Sequence, residues 1–347
     1  METKIIGYDR VDEAVEALRR GEVIAFPTET VFGLGAISTS KEAFDRLVKV
    51  KNRHPDKPFT LMCSSLGMAA AYADVDARSA NVLKALLPGQ LTALLKAKEG
   101  LSEWMTLGSD TIGIRVPDDN LLRDLIERVG VPLLVPSANK ADEPPQLTKE
   151  GVFDVFNGEI ALILEGNCKS NTPSTIVNFR SNNPVLIRKG VVDIDEINKY
   201  FNKPVEKVAL GADHGGFDAK EAIKAHLQER GYEVIDCGTY STKSCDYPDF
   251  AFKVGEEIEA GCDFGVVVCT SGEGISIAAN RNRHVRCGIG YNDVVVAKMR
   301  EHNDANVISF GAKYMALRDI LRRVDIFMLE KFSVEEKHHR RVKKLGF

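Results

Sequence analysis

Between Asp12 and Arg20 the apolar residues Ala14, Val15, Ala17 and Leu18 fall at helical spacing, and Gly21 ends that helix before the short apolar run Val23 to Phe26. This run leads into Pro27-Thr28-Glu29-Thr30 and so places polar side chains at a strand end. Further short apolar stretches predict strands at Thr60 to Cys63, Thr92 to Lys96, Ile112 to Val116, Leu133 to Val135, Leu162 to Leu164 and Thr175 to Asn178, with helices between several of them. Their irregular spacing points to a mixed α/β sheet.

The second half is more regular. Val208 to Leu210, Tyr232 to Asp236, Val266 to Val268, Arg286 to Gly290 and Val307 to Ser309 read as strands, with helices near Asp218 to Arg230 and Phe250 to Ala260. Strands alternating with helices predict a doubly wound, Rossmann-like parallel sheet, whose ligands lie beyond the carboxyl ends of the strands. The break at Asn202-Lys203-Pro204 divides the chain into domains 1–201 and 205–347. A length of 347 residues suits two cores better than one.

Charge narrows the function classes. Lys plus Arg is 46 and Asp plus Glu is 50, a net charge of −4, which argues against a dedicated nucleic-acid-binding protein. Only Lys337 to Arg341, with Lys343 and Lys344, forms a local basic cluster, suited to one phosphate or to a solvated helix face. Seven cysteines include no C-x-x-C pair, and no segment reads as a leader or a membrane span. A reduced, cytoplasmic protein is the expectation.

Candidate chemistry begins at Thr28, Glu29 and Thr30, which with Gly33 and Gly35 read as a polar turn open to a ligand. Lys51, Arg53 and Lys57 follow, three cations able to face a multiply charged anion. The order P-T-E-T-V-F-G-L-G, K-N-R-x-x-x-K-P, L-P-G-Q-L-T at 87–92, S-A-N at 137–139, P-S-T-I-V at 173–177 and Arg188 to Gly190 resembles the YrdC family of threonylcarbamoyl-AMP synthases. The resemblance implies a YrdC-like twisted mixed sheet of the short type. It also implies condensation of L-threonine, bicarbonate and ATP to threonylcarbamoyl-AMP and pyrophosphate, for threonylcarbamoyladenosine in tRNA.

By the same resemblance Thr30 and Arg115 hold threonine, while Lys51, Arg53, Lys57, Thr111, Ser137, Asn139, Ser174 and Arg188 surround the nucleotide. Mg2+ accompanies ATP with no protein side chain assigned to it, and an enzyme that transfers the product to tRNA is the implied partner. The protein's task is positioning and charge neutralisation, because an N-carboxy-threonine can itself attack the α-phosphorus. Met62 and Pro145 depart from residues some relatives carry, a histidine and a serine. A non-catalytic RNA- or nucleotide-binding role, with direct tRNA contact, stays open.

The second domain places Gly211-Ala212-Asp213-His214-Gly215-Gly216 after one strand and Cys269-Thr270-Ser271-Gly272-Glu273-Gly274-Ile275-Ser276 after another. Glycines and backbone N–H groups there can form an anion nest beside the thiol, although a cysteine after a buried strand is commonly an inert core residue. With D-Y-P-D-F-A at 246–251, I-A-A-N at 277–280 and H-N-D at 302–304, these loops resemble ribose-5-phosphate isomerase B. The resemblance implies Cys269 as the base at C2, Ser271 and the N–H groups of Gly272 to Ser276 facing the enediolate, and His302 assisting ring opening with Asn303 beside it. Asp213 and His214 then hold sugar hydroxyls, and Lys337 and Arg341 the phosphate. It further implies a homodimer with shared sites and no cofactor.

Lys337 stands where an arginine is usual, Glu335 and Glu336 replace glycines, and Thr270 replaces a frequent glycine. Action on a six-carbon sugar 6-phosphate, or a purely dimerising or regulatory domain, therefore stays open.

Overall fold

The computed structural model describes residues 2–52 and 58–346. Backbone packing divides the chain into two compact units: residues 1–74 with 85–201, and residues 75–84 with 202–347. The short segment Val75–Lys84 thus belongs to the second unit although it lies early in the sequence.

Among the described residues the first unit is built on an eleven-stranded mixed sheet. Its order is Lys4–Ile6, Leu162–Leu164, Ile24–Phe26, Gly33–Ile37, Leu133–Val135, Thr60–Met62, Thr111–Arg115, Leu91–Ala97, Thr175–Asn178 and Val185–Arg188, with Ala73–Asp74 pairing beside Leu91–Ala97. The helix Val11–Arg19 buries Ala14, Val15, Ala17 and Leu18, and packs with Phe26, Leu125 and Leu133 in one core. That is the face its spacing predicts.

The reading of Gly33 and Gly35 as part of a polar turn is corrected: both lie in the strand Gly33–Ile37, antiparallel to Ile24–Phe26. A Cβ on Gly35 would stand 2.4 Å from Phe26 Cε1, and one on Gly33 would stand 2.8 Å from Val135 Cγ1. The glycines make room for neighbouring side chains, and the turn is confined to the residues before them.

The second unit carries a five-stranded, wholly parallel sheet in the order Glu233–Gly238, Lys207–Ala212, Phe264–Cys269, Val307–Gly311 and Cys287–Ile289. Phe264–Cys269 is buried throughout, as expected of a central strand covered on both faces. Helices Phe217–Glu229, Tyr247–Glu259, Asp293–Asn303 and Leu317–Leu329 provide crossovers and cover. Lys220, fully buried, donates to both oxygens of Asp236 at 2.7 and 2.9 Å, and Lys224 adds a third bond at 2.7 Å. Lys84 of the early segment donates to Glu206 at 2.6 and 2.7 Å, and the Ala77 N–H donates to the Arg230 carbonyl. No described helix is long and apolar enough to cross a membrane.

Candidate active sites

In the first unit, Thr28, Thr30, Met62, Thr92, Arg115, Ser137, Ser174 and Arg188 line one cavity of about 330 Å³. Strand ends converge there: Met62 and Arg115 are register partners on adjacent parallel strands, and Ser174 immediately precedes Thr175–Asn178. Arg115 Nη2 donates to Glu29 Oε1 at 2.9 Å and to Thr30 Oγ1 at 2.8 Å. Both Glu29 and Arg115 are buried, and Arg115 Nε and Glu29 Oε2 have no hydrogen-bond partner among the described residues.

The hydroxyls follow a strict donor order. Thr28 Oγ1 gives its one proton to the Val31 carbonyl, so Thr30 Oγ1 must donate across the 2.8 Å contact to Thr28. Thr30 therefore offers an entering group a lone pair, a partner for an amino or hydroxyl group rather than for a carboxylate. Arg188 donates through Nε and Nη2 to the Ser174 carbonyl, at 3.1 and 2.8 Å. Desolvation of its head group, and then repulsion from Arg115, hold Arg188 below the ordinary arginine range. Arg115 already has the Glu29 carboxylate beside it, so Arg188, bonded to a neutral carbonyl, is the cation this cavity offers an anion.

Lys51 ends the helix Lys41–Lys51 with its ammonium buried. It donates to the Ser137 carbonyl at 2.7 Å, Asn139 Oδ1 at 2.7 Å and Ser137 Oγ at 3.3 Å. Asn139 also donates to the carbonyls of Lys140 and Glu143, so its amide is spent on fixing the loop and Lys51. Thr111 shares a strand face with Gly113 and Arg115 but starts that strand, and its hydroxyl donates to Asp110 at 3.0 Å; it does not line the cavity. Arg53 and Lys57 lie outside the described residues. Glu29, named in the sequence with Thr28 and Thr30 but given no role there, is the partner that holds Arg115.

In the second unit, Cys269 ends its strand with the thiol buried, and Sγ accepts from the Gly272 N–H at 3.1 Å. Gly272 takes φ +84°, and a Cβ there would stand 2.9 Å from both Gly311 N and Phe310 C. Ser309 Oγ pins the Gly272 carbonyl at 2.6 Å, and Ser271 Oγ accepts from the Glu273 N–H at 3.3 Å. Gly274, Ile275 and Ser276 continue into the helix Glu273–Ala279. Asp213 Oδ1 accepts from the Gly216 N–H at 3.0 Å, and His214 Nδ1 lies 3.2 Å from Cys245 backbone. Gly215 packs so closely on Thr270 that a Cβ would meet Thr270 Oγ1 at 2.2 Å, so the two loops are neighbours.

His302 and Asn303 are elsewhere. Cys287–Ile289 and Val307–Gly311 are parallel, so the helix Asp293–Asn303 between them returns from the carboxyl edge of the sheet to its amino edge. Its last residues lie at the amino edge, a strand length of about 16 Å from the Cys269 edge. The helix Glu336–Lys344, with Lys337 and Arg341, joins them there, because His338 stacks on His302 with ring centres 4.1 Å apart and planes 8° from parallel. Lys337 pairs with Glu335 at 2.5 Å. One copy of the chain thus brings Asp213, His214, Cys269 and Ser271 to Ser276 together, and His302, Asn303, Lys337 and Arg341 into a separate group.

Comparison with known proteins also divides the chain in two, with Val75–Lys84 inside the first match. The Sua5/YciO/YrdC family model, described as telomere recombination, matches residues 16–190, and the LacAB/RpiB model, described as ribose/galactose isomerase, matches residues 208–345. Threonylcarbamoyl-AMP synthase of Bacillus subtilis is 32% identical over 191 residues, 54% of this chain and 55% of that protein, so the chain spans about half of that relative's length. The crystal structure of Escherichia coli YciO matches with 27% identity and a TM-score of 0.53, covering 56% of this chain and 98% of that one. Ribose-5-phosphate isomerase B of Escherichia coli is 41% identical over 125 residues, 36% of this chain and 84% of that protein. The chain therefore belongs to the Sua5/YciO/YrdC family through its first half and to the ribose-5-phosphate isomerase B family through its second.

Proposed function

We propose that the protein is a bifunctional enzyme. The first unit condenses L-threonine, bicarbonate and ATP to threonylcarbamoyl-AMP and pyrophosphate, and the second interconverts ribose 5-phosphate and ribulose 5-phosphate. The observation that carries the first reading is the cavity shared by Thr30, Arg115, Ser137, Ser174 and Arg188, with the buried Lys51 ammonium bonded to its Ser137 wall. An N-carboxy-threonine oxygen attacks the α-phosphorus and pyrophosphate leaves, so the residues orient two substrates and offset negative charge. Mg2+ would be held by the ATP phosphates, whose oxygens are its ordinary ligands. Transfer of the product to tRNA falls to a separate enzyme.

The observation that carries the second reading is a buried thiol at a strand end, held by the Gly272 N–H inside a loop too tight for any other residue. Cys269 takes the C2 proton, and Ser271 with the N–H groups of Gly272 to Ser276 faces the enediolate. His302, Asn303, Lys337 and Arg341 would then come from a second copy, since one copy holds them at the opposite sheet edge. Asp213 and His214 take the sugar hydroxyls, and no cofactor takes part.

Two assays on the full-length protein test this. Pyrophosphate release should require both threonine and bicarbonate and should be lost in Lys51→Ala, with isomerisation intact. Ribose 5-phosphate and allose 6-phosphate, offered in parallel, should show turnover of the pentose that Cys269→Ala abolishes. Preference for the hexose would reassign the sugar, and no turnover in a folded dimer would make the second unit a structural module.

A further inference from the structure

His338 has no role in the reactions above, yet its environment is unusual. It is 2% exposed, and neither ring nitrogen has a hydrogen-bond partner among the described residues. Buried polar groups are nearly always paired, and an apolar side chain would fill the same space without leaving two nitrogens unsatisfied. The feature of its surroundings that requires an imidazole-sized aromatic plane is the His302 ring, which it covers face to face at 4.1 Å.

We propose that His338 is a positioning residue for His302: it fixes the plane of the His302 ring by stacking and opposes a proton on that ring. This rests on the isomerase reading, in which His302 opens the sugar ring. There the anomeric O1–H gives its proton to a neutral imidazole, C1=O1 forms as the bond from C1 to the ring oxygen breaks, and the imidazolium so formed returns the proton to that oxygen, which leaves His302 neutral again. The step needs His302 uncharged at rest.

Its placement alone would favour the charged form. His302 lies in the last turn of Asp293–Asn303, where helix carbonyls favour a cation, and Glu301 Oε2 is 3.7 Å from its Nε2. Burial, with His338, Lys298 and Lys337 acting in the same sense, nevertheless holds His302 below the ordinary imidazole range against Glu301. The charged and titratable groups around the pair are Lys298 and Glu301 from its own helix, and Glu335, Lys337 and His338 from the C-terminal segment. Lys337 is already paired with Glu335, which leaves the stacked ring as the group most directly opposed to a second proton.

The test is an NMR titration of the histidine ring signals in the full-length protein, with the His302 signal assigned by its loss in His302→Gln. His338→Phe keeps the stack and removes the competing group, and His338→Leu removes both. The expected result is a His302 midpoint at higher pH in His338→Phe, with the acid limb of kcat/KM for ribose 5-phosphate moving the same way and plateau kcat retained. His338→Leu should add a loss of plateau kcat, because the ring plane is no longer fixed. An unchanged His302 midpoint in folded His338→Phe overturns the proposal. The titration needs no turnover, so a chain inactive on every sugar phosphate would defeat the isomerase reading while the stack is still judged on its own.

Discussion

Removing the Glu29 carboxylate tests whether the first cavity is organised by a buried ion pair. Glu29 is 1% exposed, and its Oε1 accepts from Arg115 Nη2 at 2.9 Å, so Glu29→Ala leaves a guanidinium desolvated without its counter-charge. Breaking one side of such a pair costs about 3–5 kcal/mol, and the surviving bond to Thr30 places this case near the lower end. Glu29→Gln keeps an acceptor of the same shape and loses only the charge, for roughly 1–2 kcal/mol. With a urea slope of about 3 kcal/mol/M, the midpoint should fall by about 1 M for Ala and about half that for Gln.

The protein supplies its own probe. Its single tryptophan, Trp104, lies in the first unit and donates Nε1 to the Ser38 carbonyl at 2.9 Å. Tryptophan fluorescence therefore follows that unit alone, while sugar-phosphate turnover follows the other. A tryptophan transition unmoved in both variants would refute the reasoning, since no buried pair would then have been broken. A shift of both units together would refute its confinement to the first.

Three further outcomes follow from the second unit. Asp236 lies below the ordinary aspartate range: burial opposes this, but the bonds from Lys220, Lys224 and the Gly238 N–H prevail. Its contribution is therefore complete above an unfolded value of about 3.9 and is lost as pH falls through the depressed folded value. Asp236→Asn should destabilise by about 1–2 kcal/mol at neutral pH, because the buried Lys220 keeps Glu221 as a partner at 2.5 Å, and the gap from wild type, measured by denaturation across pH, should close in acid. Gly272→Ala forces a side chain onto φ +84° and against Gly311, so isomerisation should fall steeply while pyrophosphate release persists; wild-type turnover would mean the loop adapts. Glu335→Gln frees Lys337 from its partner and should lower KM for ribose 5-phosphate, whereas an unchanged KM would remove Lys337 from phosphate binding.

The second sheet was legible because a parallel strand buried on both faces is a continuous apolar run, such as Phe264–Cys269, and its loops carry the candidate residues at predictable ends. The first sheet was legible strand by strand, but Gly33 and Gly35 misled: a glycine that yields space to Phe26 across a ladder looks, in sequence, like one that bends a turn. The strand Val185–Arg188 is exposed at all four positions and so lacks the alternation that marks a strand with one buried face. Glu29 and His338 carry no role of their own in the sequence, for related reasons. Each sits among residues with louder chemistry, Thr28 and Thr30 in one case and a run of cations in the other, and only burial sets them apart. The opposite placement of Cys269 and His302 follows from the crossover rule once both strands are known to be parallel.

The assignment of Val75–Lys84 to the second unit bears on how the chain is made. A ribosome adds about 5–20 residues per second, and domains generally fold in the order they emerge. This segment leaves the ribosome on the order of a hundred residues before Asn202 opens the rest of its unit, so Lys84 must wait for Glu206. Lys84 therefore waits several seconds or more for its partner. A gene cut at residue 204 would part Lys84 from Glu206 and the Ala77 N–H from the Arg230 carbonyl.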